Sequence, residues 1–325
     1  MSKIKICVKN VKHSQFNIDS WNSMYYNKLK SNPWRMCMLT YKVSNIISNK
    51  EQIKCVLNDM SWLKNKLDEI ITSEFHFVIS DSSYSDFKQQ VNDYSNLLGI
   101  EATISEQTVG KTLSSYRNGK LHTVVIIRLF IFKNLVYSID KYIHNNENIG
   151  SNDSSIGFST VFHEIGQVVE EQVLNKFDIS ENMLCLGKSD AERYGILMAK
   201  NNISEYNADR FMMKISDENN IPYNITHQFE KEILIDLLND ELSNNTISWI
   251  INVMYHFMRY IAYNHHNKLY YNYDSIIDTK NEAKFHGLFI YIEGIIVNGV
   301  DKKNTKEILL QTYETMMSVY SKLFC

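Results

Sequence analysis

Proline occurs only twice in the 325 residues of this chain, as Pro33 and Pro222, and glycine only eleven times. Proline removes a backbone donor and clashes with the preceding turn, so this scarcity leaves room for long helices and argues against a turn-rich all-β fold. After Pro222 the whole stretch reads that way. Residues 228–242, 247–263, 285–297 and 306–324 each repeat apolar residues at helical spacing. Their Met and Tyr stripes read as core rather than as a binding surface.

Upstream the pattern is mixed. KIKICVKNV alternates like an edge strand, and residues 60–71 form an amphipathic pattern with Trp62, Leu63, Leu67 and Ile70 on one stripe. EFHFVIS (74–80) is a short apolar run; a helix comes next, with Ser and Asp candidates for its cap and Gly99 at its end. IEATI (100–104) is expected to return as a strand, Asn118-Gly119 to turn, 121–132 to be a strand and 133–144 a helix. The GKT at 110–112 invites a phosphate-loop reading, but that motif needs a glycine five residues before Gly110, where Ser105 stands. Residues 145–157 are polar and linker-like. The expected fold class is α+β, mainly α. It comprises an α/β or α+β region over 1–150, a central helical segment over 151–222 and a helical region over 223–325.

The residues with chemical potential gather in that central segment. VFHEIGQVVEEQVL (161–174) suits one helix, capped by Ser159, so His163 and Gln167 share a face one turn apart. A helix presents two ligands to one metal in this way. Glu164 lies one step round, where a carboxylate reaches a metal-bound water without being a ligand. SEYNADRFMM (204–213), preceded by an expected short helix at 191–201, places Glu205 and Asp209 on a common face. There Glu205 suits a third ligand, and Asp209 suits an acceptor that orients the His163 imidazole.

These segments resemble the gluzincin metallopeptidases, whose pattern is HExxH on one helix and ExxAD on a later one. The resemblance covers 161–213 and implies a zincin-like helix pair within 151–222. It makes His163 the first zinc ligand, Glu164 the general base, Glu205 the third ligand and Asp209 the residue supporting the imidazole. Gln167 stands where the family has its second histidine, and a neutral amide oxygen is a weaker zinc ligand than imidazole nitrogen. The implied activity is a Zn2+-dependent metallopeptidase, a hydrolase acting on a protein or peptide substrate.

EYNADR is also similar to the membrane-embedded branch of that family, but the apolar runs are broken. Arg128 and Lys133 interrupt 121–137, Asn252, His256 and Arg259 interrupt 246–263, and His286 and Glu293 interrupt 285–298. No membrane span is expected, and the soluble ImmA/IrrE-type peptidases of phage and mobile elements are the nearer comparison; the resemblance implies that such enzymes cut regulatory proteins. Thirty-four basic against thirty-seven acidic residues leave a formal charge of −3, so no nucleic-acid partner is expected. Five singly scattered cysteines, Cys7, Cys37, Cys55, Cys185 and Cys325, and the lack of an apolar leader fit a cytoplasmic protein.

The expectation is therefore a zinc peptidase with a degenerate HExxQ site. The alternative is an inactive metallopeptidase-like protein that binds or regulates another protein, and a third reading is an unrelated α-rich interaction protein. His227, His256, His265, His266 and His286 are further candidates to complete the ligand set, but His256 inside an apolar helix reads as a hydrogen-bonded core residue and His265 and His266 fall in a stretch expected to be a solvated turn; His227 and His256 are also candidate donors to a tetrahedral intermediate. Oligomeric state is left open.

Overall fold

The computed structural model describes residues 3–8, 36–41, 61–117, 120–147, 155–177, 179, 189–223, 227–239, 247–268, 282–300 and 306–322. The architecture is α+β and mainly α. The chain divides into two compact units, Met1–Gln172 with Ile215–Asn224, and Val173–Lys214 with Ile225–Cys325.

The first unit is built on a five-stranded sheet of β1 (Lys3–Val8), β2 (Met36–Tyr41), β3 (Glu74–Ser80), β4 (Gly110–Arg117) and β5 (Lys120–Arg128). Its order is β1-β2-β3-β5-β4, so β1 is an edge strand, as its alternation suggested. Four strands run parallel, while β4 pairs antiparallel with β5, with Arg117 opposite Lys120. The expected turn at Asn118-Gly119 lies outside the described residues. β5 is buried on both faces, which explains its nearly unbroken run of branched residues. At Leu129 the expected strand ends and a helix begins, α3 (Leu129–Ser138), which widens into a π-helical turn over Ile139–His144.

Two helices precede α3: α1 over 61–70 and α2 (Tyr84–Leu98). Ser83 caps α2 by accepting from the Asp86 N–H, and Gly99 ends it at φ 65°, a left-handed turn that glycine adopts without a Cβ clash. Phe87, Val91 and Leu98 of α2 pack with Val78, Leu113, Val124 and Ile126 on one face of the sheet. IEATI (100–104) is not a strand. Its alternate residues Ile100, Ala102 and Ile104 do pack on this cluster, so the period-2 signal is real burial without strand pairing. The antiparallel strand is supplied instead by 110–117, the stretch that resembled a phosphate loop.

The opposite face carries α3, through Phe77 against Phe132, and α4 (Ile156–Lys176). Residues 148–154 of the expected linker lie outside the described ones. Ser155, not Ser159, caps α4, accepting from the Phe158 N–H at 3.2 Å, while Ser159 is buried inside the helix. The helix therefore takes in the last two residues of the stretch expected to be linker. Gly157 packs so closely on α3 that a Cβ there would fall into the backbone of Ile131 to Leu135, and its N–H donates to Asn134 Oδ1 at 2.7 Å.

The second unit is all-helical among the described residues. It contains most of α5 (Asp190–Glu218), with α6 (His227–Asn239), α7 (Ile247–His266), α8 (Glu282–Ile295) and α9 (Lys306–Ser321). The segments expected as separate helices at 191–201 and 204–213 are one helix of 29 residues. Ser189 and Glu192 start it with a reciprocal capping box, at 2.7 Å and 3.3 Å. No proline breaks the helix after that cap. Phe257 stacks on Phe289 at 4.0 Å between α7 and α8, and Asn202 on α5 donates to the buried Tyr320 hydroxyl on α9 at 2.9 Å. Met254, Met258, Tyr260, Tyr313 and Met316 are buried, so the Met and Tyr stripes are core. Among the described residues, no helix is long and apolar enough to cross a membrane.

Candidate functional site

In the first unit, α4 separates its faces cleanly. Phe158, Val161, Phe162, Ile165 and Val168 form a fully buried stripe, with Phe158 and Phe162 packed against Trp62 of α1. Each such side chain contributes about 1.5–3 kcal/mol on burial, which fixes the rotation of the helix about its axis. That rotation leaves His163 and Gln167 half-buried on the adjoining face. His163 Nε2 and Gln167 Nε2 lie 3.3 Å apart. With the amide NH2 as donor, the imidazole Nε2 is the acceptor and the ring tautomer carries its proton on Nδ1. Such a tautomer presents its Nε2 lone pair, the form a metal would take.

The same separation tests the fit of zinc. Ligands about 2.0–2.1 Å from a tetrahedral centre stand about 3.3 Å from one another. Turning the Gln167 amide by half a turn puts Oε1 where Nε2 now lies, so His163 and Gln167 span one edge of such a tetrahedron. Were a zinc ion bound, they would supply two positions of its ligand set. Among the described residues no group of three or more His, Cys, Asp and Glu side chains forms a metal-holding cluster.

Glu164 points to the sheet. The Thr112 hydroxyl on β4 lies 2.6 Å from Glu164 Oε2 and 3.0 Å from the Glu164 carbonyl oxygen. A hydroxyl has one proton, and of its two acceptors Oε2 is the nearer. Gly110, two residues along the strand, faces the same carboxylate; a Cβ there would meet Cγ and Oε1 of Glu164 at 3.1 Å. Sequence reasoning missed both partners, because the GKT fragment was tested only as a phosphate loop.

β4 is the outermost strand among the described ones. The Arg128 N–H donates to the Val109 carbonyl opposite it at 3.0 Å, which sets the phase of the ladder. By alternation, the backbone N–H and C=O groups of Gly110, Thr112 and Ser114 point away from β5.

In the second unit, Glu205 and Asp209 lie one turn apart on α5, as the spacing indicated. Asp209 is fully buried and accepts from Arg259 Nε on α7 at 3.0 Å. The same guanidinium reaches the buried Glu230 of α6 through Nη1 at 3.1 Å, and the other oxygen of Glu230 lies 2.8 Å from His256 Nδ1. Thus the carboxylate expected to orient His163 belongs here to an Arg259-centred network, and His256 is tied to Glu230. Burial alone would lower the Arg259 pKa, but the charges of Asp209, Tyr255 and Glu230 outweigh it and raise the value. Tyr255, which sequence reasoning did not single out, is pushed well above the usual tyrosine range by burial and then by Glu205. Its aromatic i−4 spacing to Arg259 was the available signal, since the guanidinium lies over the Tyr255 ring at 5.6 Å.

The remaining histidines separate. His265 is not in a solvated turn: α7 continues through it, and its two ring nitrogens lie 2.7 Å from the Tyr206 hydroxyl and 3.1 Å from a Glu293 oxygen. α7 ends at His266, so the helix takes in Asn264 to His266 and the expected exposed turn is confined to Asn267 and Lys268. His266 is the last residue of α7, His227 is the first of α6, and His286 lies on α8. Comparison of the chain with protein-family models, with curated proteins and with solved structures found no match.

Proposed function

We propose that this chain is a zinc-dependent peptidase of gluzincin type that hydrolyses a protein or peptide substrate, with Glu164 as general base. The observation that carries the reading is the pinned Glu164 carboxylate one residue from an imidazole whose Nε2 lone pair faces a second polar side chain 3.3 Å away. His163 and Gln167 would hold the metal from α4. Glu205 as the third ligand and Asp209 as a supporting residue are taken from the ExxAD resemblance. Zinc, when bound, lowers the pKa of a water molecule and polarises a peptide carbonyl. Glu164 would act as the general base through its carboxylate, taking a proton from the attacking water and returning it to the leaving amine. The outward backbone groups of β4 suit an extended peptide added as a further strand, which would run past Thr112. A cytoplasmic setting belongs to the same reading, supported by the singly scattered cysteines.

One observation favours the alternative of an inactive, protein-binding relative. The Gln167 amide, as it stands, donates into the lone pair that zinc would need. Metal content of protein purified without chelator, followed by proteolysis assays on wild type and Glu164→Gln, separates the two. The enzyme carries about one zinc per chain and loses at least about 100-fold in kcat with Glu164→Gln. A folded protein that takes up no zinc and cuts nothing is the inactive relative. Gln167→His raises zinc affinity if α4 supplies two ligands; unchanged zinc uptake removes Gln167 from the ligand set.

A further inference from the structure

We infer that Gly110 and Thr112, the outer positions of the GKT fragment on β4, position the Glu164 carboxylate for proton transfer. This rests on the peptidase reading of the same site. The two residues lie on one face of the strand, separated by Lys111, and they meet the two oxygens of one carboxylate. Thr112 donates to Oε2 at 2.6 Å, a close hydroxyl-to-carboxylate hydrogen bond. Gly110 meets the carboxylate on the other side: any larger side chain would press on Oε1 from 3.1 Å and shift it by a few tenths of an ångström.

The chemistry requires this division. A general base needs one oxygen held and the other open to the proton it abstracts. A glutamate has three side-chain torsions, so an unheld carboxylate spends most of its time in unproductive rotamers. With Oε2 held by Thr112, the helix α4 fixing the backbone and Gly110 leaving clearance beside Cγ and Oε1, the carboxylate is kept in one orientation. The Thr112 side chain acts through Glu164 rather than on the reacting atoms; it is a positioning residue.

Three variants test the inference: Thr112→Val, which keeps the shape and removes the donor, Thr112→Ser, which keeps the donor, and Gly110→Ala. Zinc content, kcat and KM are measured for each beside wild type and Glu164→Gln, and crystal structures of the two Thr112 variants locate the carboxylate. The expected result is a fall in kcat of about 10-fold or more for Thr112→Val, with KM and zinc content unchanged and the Glu164 carboxylate displaced. Thr112→Ser retains kcat within about 3-fold and keeps the carboxylate in place. Gly110→Ala falls between. If wild type is hydrolytic and Glu164→Gln abolishes activity, yet Thr112→Val keeps its kcat or its carboxylate position, the inference is overturned and the peptidase reading stands. If wild type neither binds zinc nor hydrolyses peptides, both fall together.

Discussion

Replacing Arg259 by methionine removes the partner shared by two buried carboxylates in the second unit. The guanidinium holds Asp209 at 3.0 Å and Glu230 at 3.1 Å, and both carboxylates are fully buried, so its removal leaves two like charges without their common partner. Breaking a buried ion pair from one side costs about 3–5 kcal/mol. An independent bound comes from proton uptake. A carboxyl with an ordinary value near 4 is protonated at pH 7 at a cost of about 4 kcal/mol, so a variant that relieves the repulsion by binding one proton cannot lose much more than that. The two values agree at about 4 kcal/mol. The pH dependence has a definite sign: the folded Arg259→Met variant binds one proton more than its unfolded chain, so its stability rises by about 1.4 kcal/mol for each unit the pH falls between about 7 and 5. Urea denaturation of both proteins at several pH values, followed through the fluorescence of the buried Trp249 on α7, measures this. A loss below about 1 kcal/mol at pH 7, or a loss that does not shrink on acidification, would refute the reasoning.

Two further outcomes rest on packing and burial. Gly157→Ala is expected to lose more than about 1–3 kcal/mol in thermal unfolding, since its Cβ overlaps the α3 backbone, whereas Gly287→Ala on the open face of α8 is expected to gain about 0.4–1 kcal/mol. Equal effects of the two would contradict the close contact. Tyr320 is raised above the ordinary tyrosine range by burial, against the opposing bond from Asn202, and Tyr255 by burial and then Glu205. Because a raised pKa disfavours tyrosinate in the folded state, their contribution to stability is fully present below about pH 10 and is lost as the pH rises above it towards the folded values. Ultraviolet titration should show the tyrosinate signal of these two residues appearing only with alkaline unfolding, and Tyr320→Phe should reduce that late signal by one residue.

The helices were legible because their apolar spacing and their burial coincide. Leu63 and Leu67 on α1, Phe158 to Val168 on α4, and Val253 to Ile261 on α7 are both periodic and buried. Where the sequence misled, a local signal was outweighed by a contact distant in the chain. IEATI alternates because it covers α2, yet the strand that pairs with β5 is the more polar 110–117, whose Ser and Thr residues weaken the apolar pattern. NHHNK reads as a solvated turn until Tyr206 and Glu293 claim His265. The HEIGQ face of α4 was readable from spacing alone, because His163 and Gln167 are four residues apart. Thr112 was not readable, since nothing local links a strand hydroxyl to a glutamate 52 residues later. The role of Arg259 was hidden for the same reason: an arginine interrupting an apolar run looks like a break in the helix face, whereas two carboxylates from other helices neutralise it.

Position 167 is where the two functional readings part. The amide hydrogen bond to His163 spans 3.3 Å, long for an N–H···N contact, and a neutral bond of this kind contributes about 0.5–1.5 kcal/mol net. Rotating the amide costs only this bond and delivers an oxygen to the same place. Weak zinc binding at this site would therefore reflect the poor donor quality of an amide oxygen rather than competition from the amide N–H, and the two causes differ under mutation. Gln167→Glu supplies a charged oxygen donor and, as a carboxylate, cannot donate to His163, so it strengthens zinc binding on either account. Gln167→Ala removes the amide oxygen and the competing N–H together, and is expected to leave zinc affinity lower or unchanged; affinity that rises in Gln167→Ala would show that the hydrogen bond, not the ligand, was limiting.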